Sequence, residues 1–386
     1  MRKNSDLKNI SYVNFEMISM IITLMSCAFI SYAPIRIVEY CGSASLIGII
    51  FLCLVVYAFY FFIIRGVFKN EYDIFSMIKK TYPPIIQKII AIIIYLFIIL
   101  YVYLLISNLL YNLRGSIYTN STIFSISIFF IVALYLLSKK GFNVVFRIVG
   151  YISFTIVLYI IFLFIMSINK IDLNNFFPIM GNGVNDVFIK NLANSGIFIP
   201  LFLFLFFGGK VAQNKKRSVY KNFNIIMLIF TLTYGILMLC FIATIPIEII
   251  SSRYTLLLDL SSLISLTPLS LKLTPIMIFV FSLLIFISIS FCLLCGLYNI
   301  QRLNVVKDYS KYILPSSILL LIMFLIPIPL STYYIILDIF YISSIAITFA
   351  FPLFTLIIYY IKTKGGSKKF NNKNKEDFIE EVDLNE

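Results

Sequence analysis

The chain has no histidine and no tryptophan, and charged residues make up only 12% of its 386 positions. Without histidine there is no His-based triad, and the commonest ligand for zinc or haem is missing. Without tryptophan, the aromatic belts at a membrane interface must come from the 26 tyrosines. Cysteine is sparse and scattered: Cys27, Cys41, Cys53, Cys240, Cys292 and Cys295, all but Cys41 inside apolar segments. Cys292 and Cys295 lie one helical turn apart and read as small core residues, not as a metal or redox pair. No nucleophile motif, phosphate-binding glycine loop or metal-ligand spacing is present. "GNG" at Gly181–Gly183 follows no strand and reads as a turn. These absences argue against an enzyme, a metal site and a cofactor.

What fills the chain instead is hydrocarbon. At 61% apolar residues and a mean hydropathy of +1.00 it lies far outside the soluble range. Ten apolar runs emerge: 11–33, 43–64, 85–111, 122–138, 144–168, 187–208, 223–246, 274–299, 313–331 and 333–361. The fourth and ninth only just reach across a core of roughly 30 Å at about 1.5 Å per residue. "LMSC", ending at Cys27, has the look of a lipoprotein cleavage site. Glu16 interrupts its apolar run and nine more spans follow, so the first helix is read as retained. With the N-terminus inside, 25 of the 31 basic residues fall in inside segments. Only Arg36, Arg114, Lys170, Lys190, Arg253 and Lys272 fall outside. Both termini are therefore expected in the cytoplasm. The net charge of +14 is this topology signal plus attraction to anionic lipid, and calls for no nucleic acid. The expected organisation is a ten-span membrane domain over 1–361 and a short cytoplasmic tail over 362–386, polar enough to be disordered.

Two runs are interrupted. In the first, "MSCAFISYAP" sets small and polar residues before Pro34, which ends or kinks what precedes it. In the sixth, Asn194-Ser195-Gly196 precedes "IFIPLFLFLFFGG". The stretch from Gly196 to Gly209 covers only about 21 Å as helix, so the span begins near Val187 and carries its break with it. Non-helical backbone at membrane depth survives only where protein buries it or a watery cavity meets it. Breaks at matching positions of two five-span halves point to a small-ligand site. The candidate ligand-binding residues are Ser26, Cys27 and Ala28 in the first run and Asn194, Ser195 and Gly196 in the sixth; a purely structural kink is the competing reading. Accessory candidates are Tyr103, Ser107, Ser288 and Asp338. The third run also carries Tyr101 and Asn108, and the eighth Ser282 and Ser290. Intramembrane acids are costly, and neither Glu16 nor Asp338 has an obvious cationic partner in the sequence.

Several segments resemble the B-subunit of bacterial spore germinant receptors, the endospore germination permease family, within the amino acid–polyamine–cation transporter group. They are "AFISYAP", "SKKGFNVVFRIVG" (Ser138–Gly150), "NFFPIMGNGVNDVF" before the sixth run and "GKVAQNKKRSVYKN" after it. The resemblance implies a five-plus-five inverted repeat with interrupted helices 1 and 6, repeat one over about 11–168 and repeat two over about 187–361. It also implies recognition of a small nutrient germinant, often amino-acid-like, in the inner spore membrane beside an A-subunit and a lipoprotein C-subunit. This chain has Ile197 where many members carry an acid after the sixth-span glycine, and Gly208 where many have proline. The first difference argues against a ligand amino group being held there. A free-standing amino-acid permease of the same fold and a pore or scaffold subunit remain open alternatives.

Overall fold

The computed structural model describes residues 14–70, 73–116, 122–211, 216–247, 260, 274–326 and 328–363. Among them there are only helices and their connections. Each of the ten apolar runs lies on a helix. In order these are α1 (Asn14–Cys41), α2 (Ser45–Asn70), α4 (Pro84–Ser116), α5 (Ile123–Lys139) and α6 (Phe142–Ser167). A composite sixth follows: α7 (Val184–Phe188), a 3-10 stretch (Lys190–Phe198) and α8 (Ile199–Val211). The last four are α9 (Lys216–Thr244), α10 (Thr274–Arg302), α11 (Ile313–Met323) and a composite tenth: α12 (Leu330–Ile345), a π turn (Ala346–Ala350) and α13 (351–363). Seven helical stretches are long and apolar enough to cross a membrane. Shorter apolar helices occupy the first run up to Ser31, the fourth and the ninth. Large apolar side chains such as Leu54, Phe62, Ile93, Leu96, Phe129 and Phe154 point outward from the bundle, as only a lipid-facing surface tolerates. This is an all-α polytopic membrane protein. The tail read as disordered lies outside the described residues from 364 onward.

α1 is the axle. It packs against α6, α9, α10, α2 and the composite sixth helix, while α4 and α10 form the most extensive pair beside it. The 3-10 stretch packs on α12, α2 on α9, and α5 on both α10 and α11.

Three prolines shape the three helices that depart from regularity or were expected to. Pro34 sits inside α1, and the helix runs on through it to Cys41. The interruption expected at "AFISYAP" is thus a missing hydrogen bond inside a continuous helix, not an unwound segment. Pro34 has no N–H for the Ile30 carbonyl. Nearby, Ser31 Oγ donates to the Cys27 carbonyl at 2.6 Å and Asn108 Nδ2 of α4 donates to the Ser31 carbonyl at 3.0 Å. In the sixth helix, Pro200 cannot donate to the Gly196 carbonyl four residues back. That carbonyl accepts from Ile199 instead, closing a 3-10 turn. Nine residues of 3-10 geometry is long for a form that rarely exceeds three or four. In the tenth, Pro352 leaves the Thr348 carbonyl without its helical donor, and Tyr60 of α2 donates its hydroxyl there at 2.8 Å. The π turn ends at Ala350, with Phe351 between it and that proline.

One element was not foreseen. α3 (Ile74–Thr81) is a short amphipathic helix in the basic connection between the second and third runs. Asp73 caps it, accepting from the Ser76 N–H at 2.7 Å, and the same carboxylate pairs with Arg302 at the end of α10 at 2.5 Å. Burial first, and then the Arg302 charge, hold the Lys79 ammonium below its ordinary pKa.

Candidate functional site

The first-run candidates lie at the centre of the bundle. Ser26, Cys27 and Ala28 are buried. Ser26 Oγ spends its proton on the Ile22 carbonyl at 2.7 Å, the usual fate of a serine in a membrane helix. Cys27 turns toward Ser288 of α10, so one accessory candidate is brought to the primary set. Two aromatic hydroxyls complete the group. Tyr234 of α9 lies beside Ser26 and Cys27, its ring 4.4 Å from Phe29 and 4.5 Å from Phe230. Tyr101 of α4 stacks on Phe340 of α12 at 6.0 Å and is a neighbour of Cys27, Cys292 and Tyr341. All three hydroxyls are buried; Tyr234 is set against Ser26 and Ser288 against Cys27, and the Tyr101 hydroxyl has no hydrogen-bond partner among the described residues. A buried donor left unpaired costs about 1–3 kcal/mol, so the Tyr101 hydroxyl is the member of this group that a further partner would stabilise.

The sixth-helix candidates divide. Asn194 donates its amide to Asn191 Oδ1 at 2.9 Å, and Asn191 donates to the Gly48 carbonyl of α2 at 2.9 Å. This pair ties the 3-10 stretch to α2. Gly196 has a packing role: a β-carbon there would collide with the Tyr341 carbonyl oxygen and the Ser344 hydroxyl of α12. Ser195 is buried beside it. Helix six therefore reaches the central group through the Tyr341 segment of α12.

The other accessory candidates lie elsewhere. Tyr103 packs on Phe324, at the C-terminal cap of α11, at 4.7 Å, and Ser107 donates to the Tyr103 carbonyl at 2.8 Å. Asp338 has a partner after all: its Oδ2 meets Arg36 Nη1 at 3.2 Å. The sequence placed Arg36 in a loop because the first run was ended at residue 33. The continuation of α1 to Cys41 carries the guanidinium back against α12, where it also lies 3.8 Å from Glu39 and 5.2 Å from the Tyr40 ring centre. Around this end of α1 the connection before α7 is fastened down. Ser43 donates to the Pro178 carbonyl, and Asn182 donates to the Glu39 carbonyl at 2.9 Å. Ser282 faces an apolar groove of about 250 Å³ between α5 and α10, lined by Phe129, Phe130 and Phe279. Among the described residues no cluster of His, Cys, Asp and Glu could hold a metal ion.

With the bundle and its polar centre in view, family comparison is decisive. The family model for spore germination proteins matches residues 10–329, well over half of the chain. The chain belongs to the spore germination protein family. No curated protein matches it. The matched stretch contains the first eight apolar runs and nearly all of the ninth, and with them Ser26, Cys27, Tyr101, Tyr234 and Ser288. It is a germination-related protein of the membrane, resembling a permease in its architecture.

Sequence reasoning passed over Tyr234, Asn191 and the partner of Asp338. A single tyrosine in the apolar seventh run was a usable signal for the first. Asn191, three residues before Asn194, was one for the second.

Proposed function

We propose that the chain is the membrane-embedded, non-enzymatic subunit of a nutrient germinant receptor. It would bind a small molecule at the buried group around Cys27 and pass a conformational change to partner subunits, of A and lipoprotein C type. The observation that carries this is a buried polar group at the centre of the bundle, with Tyr234 of α9 set against Ser26, Ser288 of α10 against Cys27, and the Tyr101 hydroxyl of α4 without a partner among the described residues. A five-plus-five repeat is supported by the packing. Exchanging each of the first five runs with its counterpart five later maps the α1–α6 contact onto that between the 3-10 stretch and α12. It also maps α1–α9 onto the contact between the sixth helix and α2. The inner spore membrane, with both termini in the cytoplasm, is the proposed location.

A receptor needs its ligand only to favour one of two conformations, and the shift is bounded by the difference in affinity between them. A pump must turn the site to both faces and accumulate substrate. Deleting the gene is expected to delay the spore's response to one nutrient and leave others intact. The purified chain in liposomes with an imposed ion gradient is expected not to concentrate labelled amino acids. Gradient-driven uptake together with normal germination of the deletion strain would establish the permease instead.

The orientation has its own test. All six native cysteines are buried, so the chain offers a quiet background for thiol labelling. A cysteine replacing Asn182 should react with an impermeant maleimide added outside intact cells, and one replacing Lys140 only after the membrane is opened. The opposite pattern would invert the bundle.

A further inference from the structure

We propose that the acidic end of the tail, residues 376–386, docks on the surface formed by α3 and the first turn of α4. This does not rest on the ligand reading above. It needs only that α3 and the tail share one side of the bundle, and one bond establishes that. Lys362, at the end of α13, donates its ammonium to the carbonyl of Thr81, the last residue of α3, at 2.5 Å. The chain therefore leaves α13 beside this surface.

The surface is firmly held, basic and partly apolar. Asp73 ties the start of α3 to Arg302, and Gln87 of α4 donates to the Lys79 carbonyl at 3.1 Å and the Tyr82 carbonyl at 2.7 Å. Phe75 packs on Phe206 of α8 at 4.6 Å and on Tyr298 of α10 at 5.8 Å. Docking there requires no ordering of the surface itself. Lys79, Lys80 and Lys88 are exposed, and between them in sequence so are Ile85 and Ile86. From 73 to 88 the one acid is Asp73, which is given to Arg302. Burial and then the Arg302 charge already disfavour the Lys79 ammonium, so this spot has more cation than anion. An acidic partner would relieve it.

The tail carries the complement. Residues 364–375 hold five lysines and no acid, whereas 376–386 hold six acids and no base. "EDFIEEV" sets Phe378, Ile379 and Val382 among Glu376, Asp377, Glu380 and Glu381. Its order of acid, apolar, acid matches lysine, isoleucine, lysine on the surface. Glu376 is thirteen residues beyond Thr363. A flexible tether of that length spans roughly 20 Å and reaches at most about 45 Å. It would hold the acids near α3 at roughly millimolar effective concentration, so individually weak surface pairs suffice. The lysine block between them is repelled by the same surface and left to anionic lipid.

The test uses the full chain in nanodiscs of neutral phosphatidylcholine, carrying Ile85→Cys and Asn385→Cys, a pair that keeps every lysine and every acid. All six native cysteines are buried. Oxidation with copper phenanthroline should join the introduced pair within one chain, read by mass spectrometry after proteolysis. The yield should exceed that of Asn385→Cys with Lys140→Cys, on the connection between α5 and α6, by about fivefold. It should fall about fivefold in about 1 M salt, where the screening length shrinks to about 3 Å. Adding Glu380→Lys and Glu381→Lys should lower it likewise, and Lys79→Glu with Lys80→Glu should then restore it. The tail substitutions leave the bundle untouched, so a folding defect in the α3 variant would not decide the outcome. Equal yields at positions 85 and 140, or a yield indifferent to the tail charges, would overturn the proposal. So would a yield that disappears when phosphatidylglycerol is added to the nanodisc, which would give the surface to lipid headgroups.

Discussion

Gly196→Ala is expected to destabilise the folded chain by about 1–3 kcal/mol, the usual range for forcing extra atoms into a packed interior. The sign is the informative part. In a helix interior, glycine to alanine ordinarily stabilises, by about 1 kcal/mol, because alanine loses less backbone freedom. At Gly196 the added methyl would meet the Tyr341 carbonyl, which is backbone and cannot swing aside, and the Ser344 hydroxyl as well. Either the 3-10 stretch or α12 must retreat. The midpoint of unfolding in a detergent titration reads this directly, with Leu192→Ala as a control at an exposed position of the same 3-10 stretch. An alanine variant as stable as the parent would mean that the sixth and tenth helices do not touch there. It would return Gly196 to the role the sequence suggested, a position kept open for a ligand.

The second large effect is expected at the pair between α1 and α12. Arg36 is mostly buried, its side chain 10% exposed, whereas Asp338 is 33% exposed. Removing the arginine takes the guanidinium away from two neighbouring carboxylates at once, Asp338 and Glu39. Removing the aspartate leaves Arg36 with Glu39 at 3.8 Å as a second-best partner. Arg36→Gln should therefore cost more than Asp338→Asn, about 3 against about 2 kcal/mol, below the top of the range for buried pairs because solvent reaches the aspartate. The double variant should cost less than the sum of the two, with a coupling of about 1–2 kcal/mol by double-mutant cycle. Additive losses would show that the two side chains act independently.

How much of this was legible in the sequence depended on scale. Hydropathy places a helix on every one of the ten runs, since a 17-residue apolar stretch in lipid has no alternative way to satisfy its backbone. Short-range proline chemistry was harder. Pro34, Pro200 and Pro352 are alike in sequence terms, yet each resolves its lost bond differently: a continuous helix, a 3-10 stretch and a π turn. Which resolution wins depends on partners such as Asn108 and Tyr60, which lie 77 and 288 residues from the carbonyls they serve. Composition alone cannot announce those. The same is true of Asp338, whose partner looked like a loop residue until α1 proved eight positions longer than its apolar run. α3 was hidden differently. "DIFSMIKK" is short, half polar and full of lysine, so it reads as a topology signal, although Asp73 followed by Ser76 was a usable cap. Ser26, Cys27 and Ser288 stood out as candidates because polar atoms in a hydrocarbon stretch are conspicuous. Tyr101 and Tyr234 were harder to single out because tyrosine is common here and also serves at interfaces.

The π turn in the tenth helix behaves like one letter inserted into a text read by period. Before it, the lipid-facing positions are Ile335, Ile339 and Ile342; after it they are Phe354, Ile357 and Ile361. Stepping from Ile342 by 3.6 residues, an unbroken helix would expose positions near 353, 356 and 360, one short of what is seen. The extra residue has shifted the frame, which amounts to turning everything beyond it by about 100°. α12 and α13 are thus two messages in different frames, one addressed to the polar centre and the other to the far end of α2. Removing a single residue from 346–350 would restore one frame for the whole helix, and every apolar side chain after the deletion would then address the wrong neighbour.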